Sequence, residues 1–104
     1  METLRQIPVT KLQLHNTLYK KGTLMIRAIN HPLRQNILQN LHRNETMSVT
    51  ELYVSLRLEQ AVVSCHLAIL RKAGFVLRKR KGKHNYYSVN QQRLDLVHEW
   101  LMLL

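Results

Sequence analysis

A helix spanning Gln60 to Ala73 would carry two unlike faces. Val63, Leu67 and Leu70 recur at i, i+4 and i+7 and form an inward stripe. Gln60, Ala61, Ser64 and Cys65 fall on the opposite face, which is small and polar and has no acid after Glu59. Side chains of that size let a helix lie close in a groove, and the amide and hydroxyl present hydrogen-bonding atoms to base edges. Beyond this helix Arg78, Lys79, Arg80, Lys81 and Lys83 follow almost without interruption. Between Gln60 and Arg93 there is no Asp or Glu, while Arg71, Lys72 and Arg93 add to the same positive run. Such cations neutralise phosphates and fix register without reading sequence. The chemistry these residues suit is non-covalent recognition of a polyanion.

Other chemistries lack their residues. There is no Ser/His/Asp or Cys/His grouping with a base, and three glycines in the whole chain leave no Gly-rich phosphate cradle. The chain is not expected to be an enzyme. Cys65 is the single cysteine, which excludes an internal disulfide and a multi-cysteine zinc site and suits a reducing cytoplasm. His15, His31, His42, His66, His84 and His98 show no H-x-x-x-H spacing. Asp95, His98 and Glu99 share about one turn, but a solvated polar face is the stronger reading of that trio. No metal and no cofactor is expected.

Size and composition bound the rest. A chain of 104 residues forms one domain with a modest core. At 45% apolar residues it is too hydrophobic to stay disordered. Sixteen Lys and Arg against six Asp and Glu give a net charge of +10, which calls for an anionic partner. Glu2 and the absence of an early apolar run argue against a signal peptide, and nothing approaches the ~18 apolar residues of a membrane span. A cytoplasmic location with no membrane partner is expected.

The positioning elements follow from periodicity. Val9 to Ile29 reads as one long helix with two apolar stripes: Leu14, Leu18, Met25 and Ile29, and Leu12, Tyr19 and Ile26. Asn30-His31-Pro32 breaks the chain, and Pro32 opens a second helix with Leu33, Ile37, Leu38 and Leu41 inward. Met47-Ser48-Val49 is a stub of strand. A short helix from Thr50 to Arg57, with Thr50 as N-cap and Leu52 and Leu56 inward, precedes the Gln60 helix and makes a helix-turn-helix with it. Gly74 caps the second of these helices. Phe75–Lys81 and Asn85–Val89 alternate as strands around Gly82, a hairpin with a basic tip. Asn90 caps a last helix, Gln91 to Leu104, whose apolar end WLMLL is too large for its own core to hide. A two-fold dimer through the first and last helices resolves this.

This order, together with particular residues, resembles the winged-helix repressors of the ArsR/SmtB family over about Met25 to Val89. The residues are Ala28-Ile29-Asn30-His31-Pro32-Leu33-Arg34, Ser48-Val49-Thr50-Glu51-Leu52, Val63-Ser64 with His66-Leu67, Leu70-Arg71-Lys72-Ala73-Gly74, and Arg80, Gly82 and Tyr86-Tyr87. The resemblance implies a mainly α (α+β) fold: a single domain over 1–104, with a helix-turn-helix at 50–73, a wing at 75–89, and flanking N- and C-terminal dimerisation helices at 9–29 and 91–104. It implies a homodimer that binds double-stranded DNA at a pseudo-palindromic operator, represses, and is released by an inducer. Gln60, Ala61, Ser64 and Cys65 would face bases, with His66 at a family position that is structural or DNA-facing. Arg78, Arg80, Lys81 and Lys83 would hold phosphates. Leu12, Leu18, Tyr19, Leu94, Val97, Trp100, Leu101 and Leu104 would make the dimer.

The chain departs from the family's metal sensors. Ser48 and Thr50 stand where two ligating cysteines would fall, and Gln91, Gln92 and Arg93 open the last helix where an Asp-x-His pair would. A non-sensing member is expected. Arg57 sits where Gly is frequent, so a left-handed backbone there would be strained. Glu59 suits a helix N-terminus but repels phosphate. Cys65 reads as an inert small side chain beside the groove. The alternative function is a winged-helix protein-interaction module whose basic hairpin binds an acidic partner.

Overall fold

The computed structural model describes residues 22–102. Leu12, Leu18, Tyr19 and Leu104 lie outside the described residues, as does the side chain of Trp100. The end of the first predicted helix is present as α1, residues 22–29. Asn30 and His31 join it to α2, Pro32–Asn44, where Pro32 takes the first position and His31 Nδ1 accepts a hydrogen bond from the Leu33 amide at 3.1 Å. Two α2 side chains then reach back to α1. Arg34 Nη1 donates to the Ala28 carbonyl at 2.9 Å, and Gln35 Nε2 donates to the Ile29 carbonyl at 3.0 Å. The last carbonyls of a helix have no partner within it, and here a neighbouring helix supplies one.

α2 stops at an unusual turn. Glu45 has φ 67° and ψ −54°, and the Thr46 amide donates to the Asn44 carbonyl at 2.8 Å, the rare positive-φ form of a γ-turn. It leads into β1, Met47–Ser48. Ser48, not Thr50, then caps α3, Val49–Leu56. Its Oγ accepts from the Glu51 amide at 3.1 Å and donates to Glu51 Oε1 at 3.2 Å. The Ser-x-x-Glu spacing is a capping-box signature, and it outweighs a threonine that lacks an acid at the same offset.

The link between α3 and α4, Gln60–Lys72, depends on a left-handed residue. Arg57 has φ 56° and ψ 43°; its amide donates to the Val54 carbonyl at 3.2 Å, and the Leu58 amide donates to the Tyr53 carbonyl at 3.0 Å. That pair of bonds is a Schellman motif closed by an arginine. α4 ends in the same motif with the usual residue. Gly74 has φ 86°, and the amides of Phe75 and Gly74 donate to the carbonyls of Leu70 and Arg71 at 2.9 and 3.0 Å. Phe75, expected on the first strand, is instead fully buried just beyond the cap, and the strand begins one residue later.

β2, Val76–Lys81, and β3, His84–Val89, form an antiparallel hairpin with Arg78 opposite Tyr87 and Lys81 opposite His84. β1 adds to β3 through Met47–Tyr87 and Ser48–Tyr86, so the sheet order is β1-β3-β2. α5, Gln91–Met102, follows Asn90, whose amide nitrogen Nδ2 donates to the Gly74 carbonyl at 2.8 Å. The assembly is a helix-dominated α+β winged helix-turn-helix.

The core gathers Ile37 and Leu41 from α2, Leu52 from α3, Val63, Leu67 and Leu70 from α4, and Phe75 and Val76. Val97 of α5 joins it at 1% exposure, which removes it from the expected dimer surface: its methyls are buried within the chain's own core. Leu94 also packs partly against this core, whereas Leu101 remains 47% exposed.

The arginine at the α3 turn predicts a stability order. Arg57→Val will lower unfolding free energy by about 1 kcal/mol or more, since a β-branched residue is least tolerant of a left-handed backbone. Arg57→Gly will not lower it. Urea denaturation midpoints check both.

Candidate nucleic-acid interface

Burying Val63, Leu67 and Leu70 turns the other side of α4 to solvent. Gln60, Ala61, Ser64 and Cys65 are all exposed there, together with Ala68, Arg71 and Lys72. The glutamine, serine and small side chains occupy its N-terminal half, and the basic pair occupies its last turn.

His66 does not belong to this face. It lies one turn from both Val63 and Leu70, on the inward side, and its ring packs against His31 with centroids 4.8 Å apart and planes tilted by 42°. Its Nδ1 is buried without a hydrogen-bond partner, as is Arg34 Nε on α2. The expectation that His66 meets DNA is therefore corrected: its helical phase places it in the packing between α4 and the start of α2. Burial, followed by the nearby His31 and Arg34, holds its pKa below the usual histidine value.

The wing closes a trough against α4. A groove of about 660 Å³ is lined by Ser64, Leu67, Ala68, Arg71, Lys72, Arg78 and Tyr87. A second, of about 360 Å³, is lined by Ser48, Val49, Thr50, Gln60, Ser64, Lys83, His84, Asn85 and Tyr87. Ser64 and Tyr87 line both, so the two grooves adjoin and together make up a channel between α4 and the wing. Arg78 and Lys83 stand in this channel. Arg80 is exposed, and its Nε donates to the Gly82 carbonyl at 3.2 Å, which folds it over the hairpin turn. Lys81 is exposed but alternates onto the other strand face with Lys79.

Sequence reasoning assigns no site role to Thr50, Ala68 or Tyr87, and it counts Arg71 and Lys72 only in the general positive run. Arg71 and Lys72 had a signal, because they begin the acid-free run. Tyr87 had none, since its place depends on strand register. Glu59 is the N-cap of α4, exposed, with no side-chain capping bond, and it precedes Gln60, which lines the second groove. Asp95 accepts a hydrogen bond from Gln91 Nε2 at 2.9 Å. Among the described residues no group of three or more His, Cys, Asp or Glu is placed to hold a metal ion. No helix among them is long and apolar enough to cross a membrane.

Comparison with known proteins bears on this geometry. Residues 31–77 match the model of the bacterial regulatory protein arsR family. An HTH-type transcriptional regulator of Methanocaldococcus jannaschii is 34% identical over 79 residues, 76% of this chain and 89% of that protein. The chain belongs to the arsR family. Another relative, the transcriptional repressor PagR of Bacillus anthracis, is 35% identical over 72 residues, 68% of this chain and 71% of PagR. The PagR crystal structure superposes with a TM-score of 0.69 at 26% identity, covering 82% of this chain and 98% of that one. Reduced HlyU from Vibrio cholerae gives 0.68 at 27% identity, covering 88% and 96%. As an arsR-family member the chain is a DNA-binding transcriptional regulator and not an enzyme.

The lowered His66 pKa has a consequence for pH. The unfolded chain takes up the His66 proton more readily than the folded one, so the neutral ring's contribution is complete above the ordinary value near 6.5 and is lost as pH falls through and below it. The denaturation midpoint will therefore drop between pH 7.5 and 5.5, and His66→Gln will reduce that drop. An equal drop in the variant would assign it elsewhere.

Proposed function

We propose that the chain is a sequence-specific repressor that binds a pseudo-palindromic operator as a homodimer in the cytoplasm. One observation carries this reading: the channel between α4 and the wing collects Arg71, Lys72, Arg78 and Lys83 around a small polar helix face. Gln60, Ala61, Ser64 and Cys65 face the bases in the major groove, and Thr50 and Tyr87 flank them. Arg78 and Lys83 hold backbone phosphates from the channel, and Arg80 and Lys81 add charge at the wing tip. The relative named as a repressor supports the regulatory sign.

Surface left apolar supports the dimer. Leu101 is 47% exposed and Met102 74%, both on α5. With Leu94 at the margin, these are joined by Leu12, Leu18, Tyr19, Trp100 and Leu104 in the proposed seam. Two copies related by a two-fold axis present two α4 helices to successive turns of the duplex.

Fluorescence anisotropy against the chain's own upstream DNA and a scrambled fragment, over a salt series, tests the reading. Tight, salt-sensitive preference for the upstream fragment is expected. Equal weak binding to both would transfer the function to a protein-interaction module. Changing Arg78, Arg80 and Lys83 together to Ala will weaken binding to every sequence and flatten the salt slope by about 0.9 for each phosphate no longer neutralised. Leu101→Asp will give monomers or insoluble protein in sedimentation; a well-folded dimer would place the seam elsewhere.

A further inference from the structure

A separate cavity of about 280 Å³ opens at the C-terminal end of α4, between α1 and the first turn of α5. Leu24 and Met25 give it an apolar wall, Ala73 and Gly74 a close backbone, and Lys72 and Arg93 two cations. The Arg93 guanidinium is pinned in place. Its Nη1 donates to the Met25 sulfur at 3.4 Å, and a Cβ on Gly74 would stand 2.8 Å from its Nε. Gly74 is needed for its backbone angle, φ 86°, and the Arg93 guanidinium lies directly over it. A thioether is a weak, uncharged acceptor. Neither residues 22–29 nor residues 60–93, which wall the cavity, contain an Asp or Glu. A half-buried guanidinium beside an ammonium, with no carboxylate from these walls, matches an incoming carboxylate. The volume is at the small end for ligand pockets, and the wall favours an apolar body behind the charge.

We propose that this cavity binds a small amphipathic monocarboxylate, with Arg93 and Lys72 on the carboxylate and Leu24 and Met25 along the apolar body. Lys72 gives the site a consequence, because it also lines the channel between α4 and the wing. One ammonium stands between two anions, a DNA phosphate on one side and the ligand on the other. A bound carboxylate draws Lys72 from the channel and weakens DNA binding. This coupling rests on the DNA-binding reading above, whereas binding at the cavity stands independently of it.

Calorimetric titration of the full chain with sodium octanoate tests the site, with sodium acetate (charge without body) and 1-octanol (body without charge) as comparisons. Saturable octanoate binding is expected, with both comparisons weaker by about tenfold or more. Arg93→Gln will weaken octanoate binding by a similar factor, with a far-UV circular dichroism spectrum like that of the wild type to show that the variant folds. In the wild type octanoate will lower DNA affinity and reduce the salt slope by the equivalent of about one phosphate; in Lys72→Gln that response will be absent. No saturable octanoate heat, or octanol binding as tightly as octanoate, overturns the proposal. So does octanoate binding that survives Arg93→Gln, or that reports only separation of chain pairs in sedimentation. Octanoate binding with no change in DNA affinity overturns the coupling alone. A chain that ignores DNA altogether fails the DNA-binding reading, and calorimetry still decides the site.

Discussion

Ser48 is the joint on which the DNA-binding geometry depends. It pairs with Tyr86 as the last residue of β1, and through its hydroxyl it caps α3 and engages Glu51. One residue therefore ends a strand of the sheet and begins the helix-turn-helix. The wing is β3 with its partner β2, so anchoring β1 to β3 sets where the wing lies relative to α3 and, across the Arg57 turn, relative to α4. Ser48 as a whole is only 9% exposed, which makes the two bonds of its hydroxyl costly to lose. Two-stranded hairpins are marginal alone, and the β1 stub supplies the third strand that this one uses.

α4 meets two demands at once. One face must be apolar enough to hold the helix in the core, and the other must be bare enough to enter a groove. Val63, Leu67 and Leu70 satisfy the first, and Ala61, Ser64, Cys65 and Ala68 satisfy the second. Charge is kept off the middle of the exposed face and collected at its end and across the channel on the wing. In the proposed function that division would separate recognition of bases from attraction to phosphate, leaving the small face free to vary without changing the charge. Glu59 is the exception, an exposed acid at the start of the helix whose charge is of the wrong sign for phosphate.

The architecture was largely legible because helical and strand periodicities differ, and this chain changes period cleanly after Gly74. The exposed face of α4 was legible for the same reason, since the stripe that packs inward defines what is left outside. His66 escaped because a resemblance placed it at the interface, while its own phase, one turn from Val63 and Leu70, placed it inside. Val97 escaped because a helix with apolar residues on several sides does not say which row its own core will take. Thr50 qualifies as a cap by type alone, whereas the acid at the correct offset belongs to Ser48. Tyr87 reaches the channel through strand register, a long-range property with no local mark.

The bond from Arg34 to the Ala28 carbonyl and that from Gln35 to the Ile29 carbonyl have a mechanical meaning. α1 and α2 are separate helices, but these side chains clamp the end of one to the first turn of the other. Torque applied to α1 is therefore delivered to α2 rather than absorbed in the Asn30-His31 link. His31, beside that clamp, touches His66 on α4. A twist of α1 thus has a short route through α2 and His31 to the middle of α4, and its stiffness resides in side chains that a single substitution could slacken without unfolding the domain.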